Sequence, residues 1–334
     1  MRALGLALAF ALVVPPVFAQ DACMNRGDLD TPFCDENGDL LADTPRDATK
    51  QKNPDTLFFT NSPLDDPAVF NKLMQPFVDH LASCIGKKVR YYDVYSSAAA
   101  IEAMRAGRMH LGTMSSGDTA FAVNVAGAVP LGIRGDASGP QGYQLWMIVK
   151  KDSPFQKLAD LKGKRVAHTT PSSNSGNLAP RALFPAEGLV PDKDYKVFFS
   201  GKHENSIAGV AAGDYDAAPI AHDILVRMAE RGLVKMEDFR IIWKSQSFPP
   251  GGLSMAHDLT PSLQQKIREC TYAFRYPPEM QKGFQGADRW WPIDYKKDWE
   301  IVRKVAQESG QAFTRAAFDK ERARAESSSP AARK

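Results

Sequence analysis

The chain has 334 residues, 43 % of them hydrophobic and 24 % charged, which is enough apolar material for two domains of ordinary size and excludes a disordered chain. Its 42 basic and 39 acidic side chains leave a formal net charge of +3, with neither sign gathered into a long run. Without a Lys/Arg stripe or a basic patch interleaved with aromatics, nucleic acid is not an expected partner.

Met1-Arg2 is a short basic start, Ala3 to Val14 is an apolar run, and Val17-Phe18-Ala19 places small residues before Gln20. That layout predicts a cleaved export signal over residues 1–19, with a retained amphipathic anchor as the alternative. No later segment approaches the roughly 20 apolar residues of a membrane-spanning helix. The four cysteines of an exported chain permit two disulfides. Cys23 and Cys34, close together after the cleavage site, are expected to pair. Cys84 and Cys270 each sit in a helical stretch, and their pairing would tie a C-terminal helix to the N-terminal domain. The cysteines and histidines do not follow the spacing of a zinc site.

Residues 20–54 read as a polar leader. Within it Asp35, Asn37, Asp39 and Asp43 set oxygen side chains around Gly38 in a spacing similar to the first part of a calcium loop. The twelfth position, where a bidentate Glu belongs, is Arg46, so a solvated acidic loop stapled by Cys23 and Cys34 is the plainer reading. A structural calcium ion here is the single cofactor considered.

From Asp55 the pattern becomes α/β. Thr56 to Thr60 reads as a strand, Pro67 to Cys84 as a helix, Lys88 to Val94 as a strand, Ser97 to Ala106 as a helix, and His110 to Thr113 as the start of another strand. The loops after these strands carry Thr60-Asn61-Ser62, Ser96-Ser97 and Thr113-Met114-Ser115-Ser116-Gly117-Asp118-Thr119. Ligands of open parallel sheets bind at such carboxyl ends, which makes Thr60, Asn61, Ser62, Ser115 and Ser116 candidate donors.

Tyr143 to Val149 leads into a second run of the same kind. Arg165 to Ala167 is strand-like, Pro171-Ser-Ser-Asn-Ser175-Gly176 is a loop of small polar residues, and Leu178 to Leu183 is helical. A loop of this composition opening a helix is an anion cradle, because first-turn N–H groups have no intrahelical partner and the helix dipole adds positive charge there. The plainer reading is that Ser and Asn merely cap the helix. Tyr195 to Ser200, Ser206 to Ala212 and Asp216 to Ile220 continue the alternation, and Arg240 to Trp243 with Ser247 to Gly252 suggests a second crossing between the units. Leu259 to Tyr276 and Asp298 to Ala306 read as helices. The expected division is a first domain of residues 55–144 and 248–312, a second of 145–247, and a polar tail of 313–334. Each domain is expected to hold a mainly parallel sheet flanked by helices, with two hinge strands and a cleft between them.

Leu161-Lys-Gly-Lys-Arg165-Val, Pro171-Ser-Ser-Asn-Ser175-Gly176, Phe199-Ser-Gly201-Lys-His203 and Gly213-Asp-Tyr-Asp216-Ala-Ala, with Gly86-Lys-Lys-Val89 and Trp291-Pro-Ile-x-Tyr295, resemble the periplasmic solute-binding proteins that serve ABC importers of phosphonate, phosphite and phosphate. The resemblance runs from about Asp55 to Val305. It implies the type 2, Venus-flytrap fold, a small oxyanion as ligand, an inner-membrane permease as partner, and a monomeric, periplasmic protein that is not an enzyme. It also implies that Ser173, Asn174 and Ser175 donate to the oxyanion, Asn174 standing where relatives have Thr, and that His203 joins them. Where relatives often place an acid this chain has Ala221, followed by His222 as a possible substitute.

Two rival readings remain. A sensory protein docking to a periplasmic sensor kinase would share every one of these features. A hydrolase of phosphorus esters would use Asp214 with Asp216 as an acid–base pair, or Ser175 with His203 as nucleophile and base, although no Gly-x-Ser-x-Gly elbow is present.

Overall fold

The computed structural model describes residues 23–61 and 67–328. The expected export signal and Ser62 lie outside the described residues. The chain begins its first sheet with β1 (Thr56–Asn61), α1 (Pro67–Ile85), β2 (Lys88–Tyr91), α2 (Ser97–Arg105), β3 (Leu111–Thr113), α3 (Ser116–Ala126), β4 (Ala128–Asp136) and β5 (Gly139–Pro140). It crosses to a second sheet through β6 (Tyr143–Lys150), β7 (Arg165–His168), α4 (Ala179–Leu183), β8 (Lys196–Phe199), α5 (His203–Ala212), β9 (Ala217–Ala221), α6 (His222–Glu230) and β10 (Phe239–Phe248). It returns as β11 (Leu253–Ala256), α7 (Pro261–Ala273), α8 (Pro278–Gly283), β12 (Arg289–Pro292), α9 (Tyr295–Asp298), α10 (Glu300–Glu308) and α11 (Arg315–Ser328).

The first sheet has the order β12-β4-β11-β3-β1-β2 with β5 beside β4, and the second the order β10-β6-β9-β7-β8. The chain therefore passes between sheets twice, at residues 141–142 and 249–252. The expectation of mainly parallel sheets needs correction. Only β1 with β2 and β3, and β7 with β8 and β9, are parallel, whereas β4, β11, β12, β6 and β10 pair antiparallel. The two crossings lie side by side, so the strand that leaves a sheet and the strand that returns to it run in opposite directions.

Two elements beside the crossings carry no periodic signal. Every residue of α3 except Asn124 is buried, and so is most of β4. A helix covered on all sides shows no amphipathic stripe, which is why Ser116 to Thr119 reads as loop in the sequence. Gly127, at φ 63° with its N–H on the Ala122 carbonyl, ends α3 in the left-handed conformation that glycine adopts without strain.

Within the expected polar tail, Arg315–Ser328 fold as α11, seated on α3 by Phe318, which is buried beside Phe121. Polar spacing hides this helix because only one narrow stripe of it meets the protein. The leader packs likewise, burying Leu29, Phe33 and Ala42, with the Phe33 ring edge-on to His257. Its acidic loop is held by its own backbone. Asp35 accepts the N–H groups of Asp39 and Leu40, Asn37 that of Asp39, Asp39 that of Leu41, and Asp43 that of Glu36. Among the described residues, no three His, Cys, Asp or Glu side chains are grouped to hold a metal ion. Cys23 is bonded to Cys34, and Cys84 on α1 to Cys270 on α7. No helix among the described residues is long and apolar enough to cross a membrane.

Candidate oxyanion site

The polar loop after β7 leads into a turn of π-helix, Asn174–Leu178, that continues directly as α4. Ser173 caps it, its hydroxyl oxygen accepting the Gly176 N–H at 3.1 Å. The capping reading and the cradle reading thus describe one residue, since a capping hydroxyl keeps its hydrogen for another acceptor. Behind the loop stands a buried support. Asn177 donates to the Pro171 carbonyl at 2.8 Å, and its side-chain oxygen accepts from His168 Nδ1 at 2.9 Å. With Nδ1 protonated, His168 Nε2 accepts the Tyr195 hydroxyl at 2.9 Å. Burial holds the His168 pKa down to about 4, with the Asn177 hydrogen bond acting in the opposite sense.

His203 opens α5 and reaches the same loop. Its Nδ1 accepts the Ala221 N–H at 3.2 Å, so in the neutral ring the proton is on Nε2. That nitrogen lies 3.4 Å from the Ser173 hydroxyl and 3.5 Å from the Ser175 hydroxyl. Burial again holds the pKa at about 4, with the Asp223 charge acting in the opposite sense. Three uncharged donors therefore converge where the Asn174 and Ser175 amides head a helical run. The ladder of β7 with β9 has one pair, Val166 with Ala217, and Pro219 has no N–H with which to extend it.

The facing wall comes from the first domain and the crossing segments. The Tyr143 hydroxyl accepts from Asn174 Nδ2 at 2.9 Å and lies 3.4 Å from the Ser116 hydroxyl, which donates to the Pro249 carbonyl at 2.6 Å. Burial raises the Tyr143 pKa, so it stays a phenol. The side-chain oxygen of Asn174 is buried with no hydrogen-bond partner. At the seam Gly117 packs on the Ser172 carbonyl so closely that a Cβ would overlap it. The Ser172 hydroxyl reaches Asp118 at 2.8 Å.

The other expected donors are engaged elsewhere. Ser115 caps α3 through the Asp118 N–H at 3.2 Å and donates to the Asp118 carboxylate at 2.7 Å. Thr60 donates to the Tyr92 carbonyl, and Asn61 bridges Asn71 and Thr113 at 2.8 Å each. His222 Nδ1 accepts the Gln144 N–H at 3.1 Å while its ring packs on Trp146. Asp216, half of the imagined acid–base pair, holds the Arg165 backbone and guanidinium. A cavity of about 120 Å³ is lined by Tyr143 together with Arg134, Gln141, Asp223, Arg227 and Phe284. Ser173, Ser175 and His203 are not among its walls. Sequence reasoning missed Tyr143, Asn177, His168 and Tyr195 as site residues. The first carried a signal, since it opens the segment that crosses between domains.

Two α/β domains joined by paired crossings, with a capped helix start and a neutral histidine at the seam, define a type 2 periplasmic substrate-binding protein. The model of a family described as "ABC transporter, phosphonate, periplasmic substrate-binding protein" matches residues 59–299, and the chain belongs to that family. It is 29 % identical over 242 residues to the phosphate-import protein PhnD of Mycolicibacterium smegmatis, covering 68 % of this chain and 74 % of that one. It is 26 % identical over 231 residues to the phosphonates-binding periplasmic protein of Escherichia coli, covering 68 % of each. Among solved structures, PhnD1 of Prochlorococcus marinus in complex with methylphosphonate matches with a TM-score of 0.69 at 17 % identity, over 78 % of this chain and 100 % of that one. A binding protein component of an ABC phosphonate transporter from Pseudomonas aeruginosa matches at 0.67 and 21 %, over 81 % and 96 %. At these identities the structural matches speak for the fold.

Proposed function

We propose that this protein captures a small phosphorus oxyanion between its domains, as a monomer without catalysis, and presents it to an inner-membrane permease after export to the periplasm. The convergence of His203 Nε2 with the Ser173 and Ser175 hydroxyls carries the reading. Neutral donors replace the water shell of a small anion without adding a buried countercharge that would slow its release. Closure is favoured by the ligand because Ser116, on α3 of the first domain, meets the second domain's loop and the Tyr143 hydroxyl at the start of β6 only when the domains approach. Against hydrolysis stands the histidine's tautomer. The Nε2 that faces Ser175 carries the proton and so has no lone pair with which to act as base.

Ala221 and the Asp223–Arg227 pair narrow the ligand. No carboxylate stands at Ala221, and the nearby Asp223 is held by Arg227 at 2.7 Å. A cationic substituent such as the ammonium of 2-aminoethylphosphonate therefore gains little here. The buried, unpartnered Asn174 oxygen suits an acceptor for a protonated ligand oxygen. Calorimetry with phosphate, phosphite, methylphosphonate, 2-aminoethylphosphonate, arsenate and sulfate tests the proposal. Binding of phosphate, phosphite or methylphosphonate ahead of sulfate and of 2-aminoethylphosphonate is expected; binding of none of the phosphorus compounds would overturn it.

A further inference from the structure

The helix α11 belongs to the first domain by its anchors. Phe318 is buried beside Phe121, Arg322 approaches Glu102 of α2 at 3.8 Å, and Arg315 approaches Asp30 of the leader at 3.8 Å. Its next turn reaches the second domain. Glu321 Oε1 lies 2.6 Å from the Ser172 hydroxyl, and the Arg324 guanidinium sits 5.8 Å from the Phe199 ring on β8. Ser172 is the residue before the capping Ser173, and its hydroxyl also lies 2.8 Å from Asp118 Oδ1 on α3.

That hydroxyl has one hydrogen and two carboxyl oxygens within reach. If that hydroxyl donates to Asp118, the hydroxyl's own contact with Glu321 is a hydrogen bond only when the Glu321 carboxyl carries a proton and donates it to the Ser172 oxygen, while the Ser172 backbone N–H donates to Glu321 in either form. Ionised, both carboxylates would crowd one small hydroxyl in a half-buried place, and like charges at this range repel. We propose that Glu321 is a positioning residue for the oxyanion loop: from the C-terminal helix it holds Ser172, and with it the Ser173–Ser175 turn, against α3 across the domain seam, and it does so in its protonated form.

The electrostatic surroundings agree. Burial raises the Glu321 pKa to about 7, and the Asp118 charge adds to the rise, while the Ser172 hydrogen bonds and Arg324 oppose it. Besides the exposed Lys320, the charges around the helix include Glu102 and Arg105 on α2, Asp30 of the leader, and Arg315, Asp319 and Arg322 of α11. They pair among themselves: Arg105 with Glu102, Arg322 with Glu102 and Asp319, and Arg315 with Asp30 and Asp319. An undocked Glu321 titrates near 4.5. The docked carboxyl binds its proton more tightly, so docking is strongest at low pH, weakens as pH rises from about 4.5, and levels off above about 7.

Hydrogen exchange on the full chain without ligand tests this independently of the proposed function. Protection factors of α11 and of Ser172–Leu178 should fall on the order of ten-fold or more between pH 5.5 and pH 8. Glu321→Gln, whose amide donates as the protonated acid does, should hold the acid-side protection at both pH values. Glu321→Ala should show the lowered protection at both. A flat wild-type profile, a slope that survives in Glu321→Gln, or Glu321→Ala matching wild type at pH 5.5 would each overturn the proposal. The binding consequence rests on the oxyanion reading. Methylphosphonate should leave wild type more slowly at pH 5.5 than Glu321→Ala, with no such gap at pH 8. If methylphosphonate does not bind at all, the function fails while the exchange data still decide the role of Glu321.

Discussion

His203 accepts the backbone N–H of Ala221 through Nδ1, and this one bond decides what the histidine can offer a ligand. With Nδ1 taken as an acceptor, the ring presents a single donor at Nε2 and stays neutral. Nitrogen-15 spectroscopy of the imidazole should report the Nε2–H tautomer down to about pH 5. A protonated ring at pH 6 would contradict the geometry, because its Nδ1–H would face the Ala221 N–H.

The same environment sets a limit on acid stability. His203 and His168 have pKa values near 4 when folded, below the ordinary 6.5 they regain on unfolding. Between those limits the unfolded chain binds more protons, so stability is fully present above about pH 6.5 and is lost as pH falls toward 4. The loss is on the order of 1.4 kcal/mol per unit of pKa difference for each histidine. Thermal melts at pH 7 and pH 4.5 check it, with His168→Phe expected to lessen the drop.

Tyr143 opens β6 and touches both domains. Tyr143→Phe leaves the ring packing in place and removes the acceptor of Asn174 Nδ2, at a cost of about 1–3 kcal/mol for an unsatisfied buried donor. Isothermal titration with phosphate or methylphosphonate should show a roughly ten-fold or larger loss of affinity. Unchanged affinity would place the Asn174–Tyr143 bond outside the binding machinery.

Gly117 matters for closeness of approach. Alanine there fits an open molecule but overlaps the Ser172 carbonyl when the domains meet. Gly117→Ala should give a larger radius of gyration in ligand-saturated solution scattering and a weaker Kd, with circular dichroism unchanged.

The acidic leader loop already uses its oxygens on backbone N–H groups. Millimolar calcium should leave the Tm unaltered. A rise of several degrees would show that the loop rearranges to take the ion.

The strand and helix order between Thr56 and Ala106 was readable because α1 buries one stripe, Met74, Phe77, Val78 and Leu81, and burial alternates along β2. The loop before α4 was legible as a candidate site because small polar residues before a helix have few physical uses. Elements buried on every face resisted reading: α3 is covered on nearly every side by α2, β4, α10 and α11, and β4 has no alternation. The division of labour among serines was also hidden. Ser115, Ser116, Ser172, Ser173 and Ser175 look alike in sequence, yet one caps a helix beside Asp118, one ties the second crossing, one meets Glu321, and two face His203. Long-range pairing assigns those roles, and Glu321, about 150 positions beyond Ser172, has no local pattern that announces it.

The bond between Cys84 and Cys270 joins residues 186 positions apart, and the whole second domain lies between them. The molecule is thus a covalent ring with two free ends. A protease that cuts once anywhere from 85 to 269 releases nothing: both fragments migrate as one species until a reductant is added. In a compartment with proteases and without a cytosolic reducing pool, a protein built this way can be nicked in a surface loop of its second domain and still remain a single molecule.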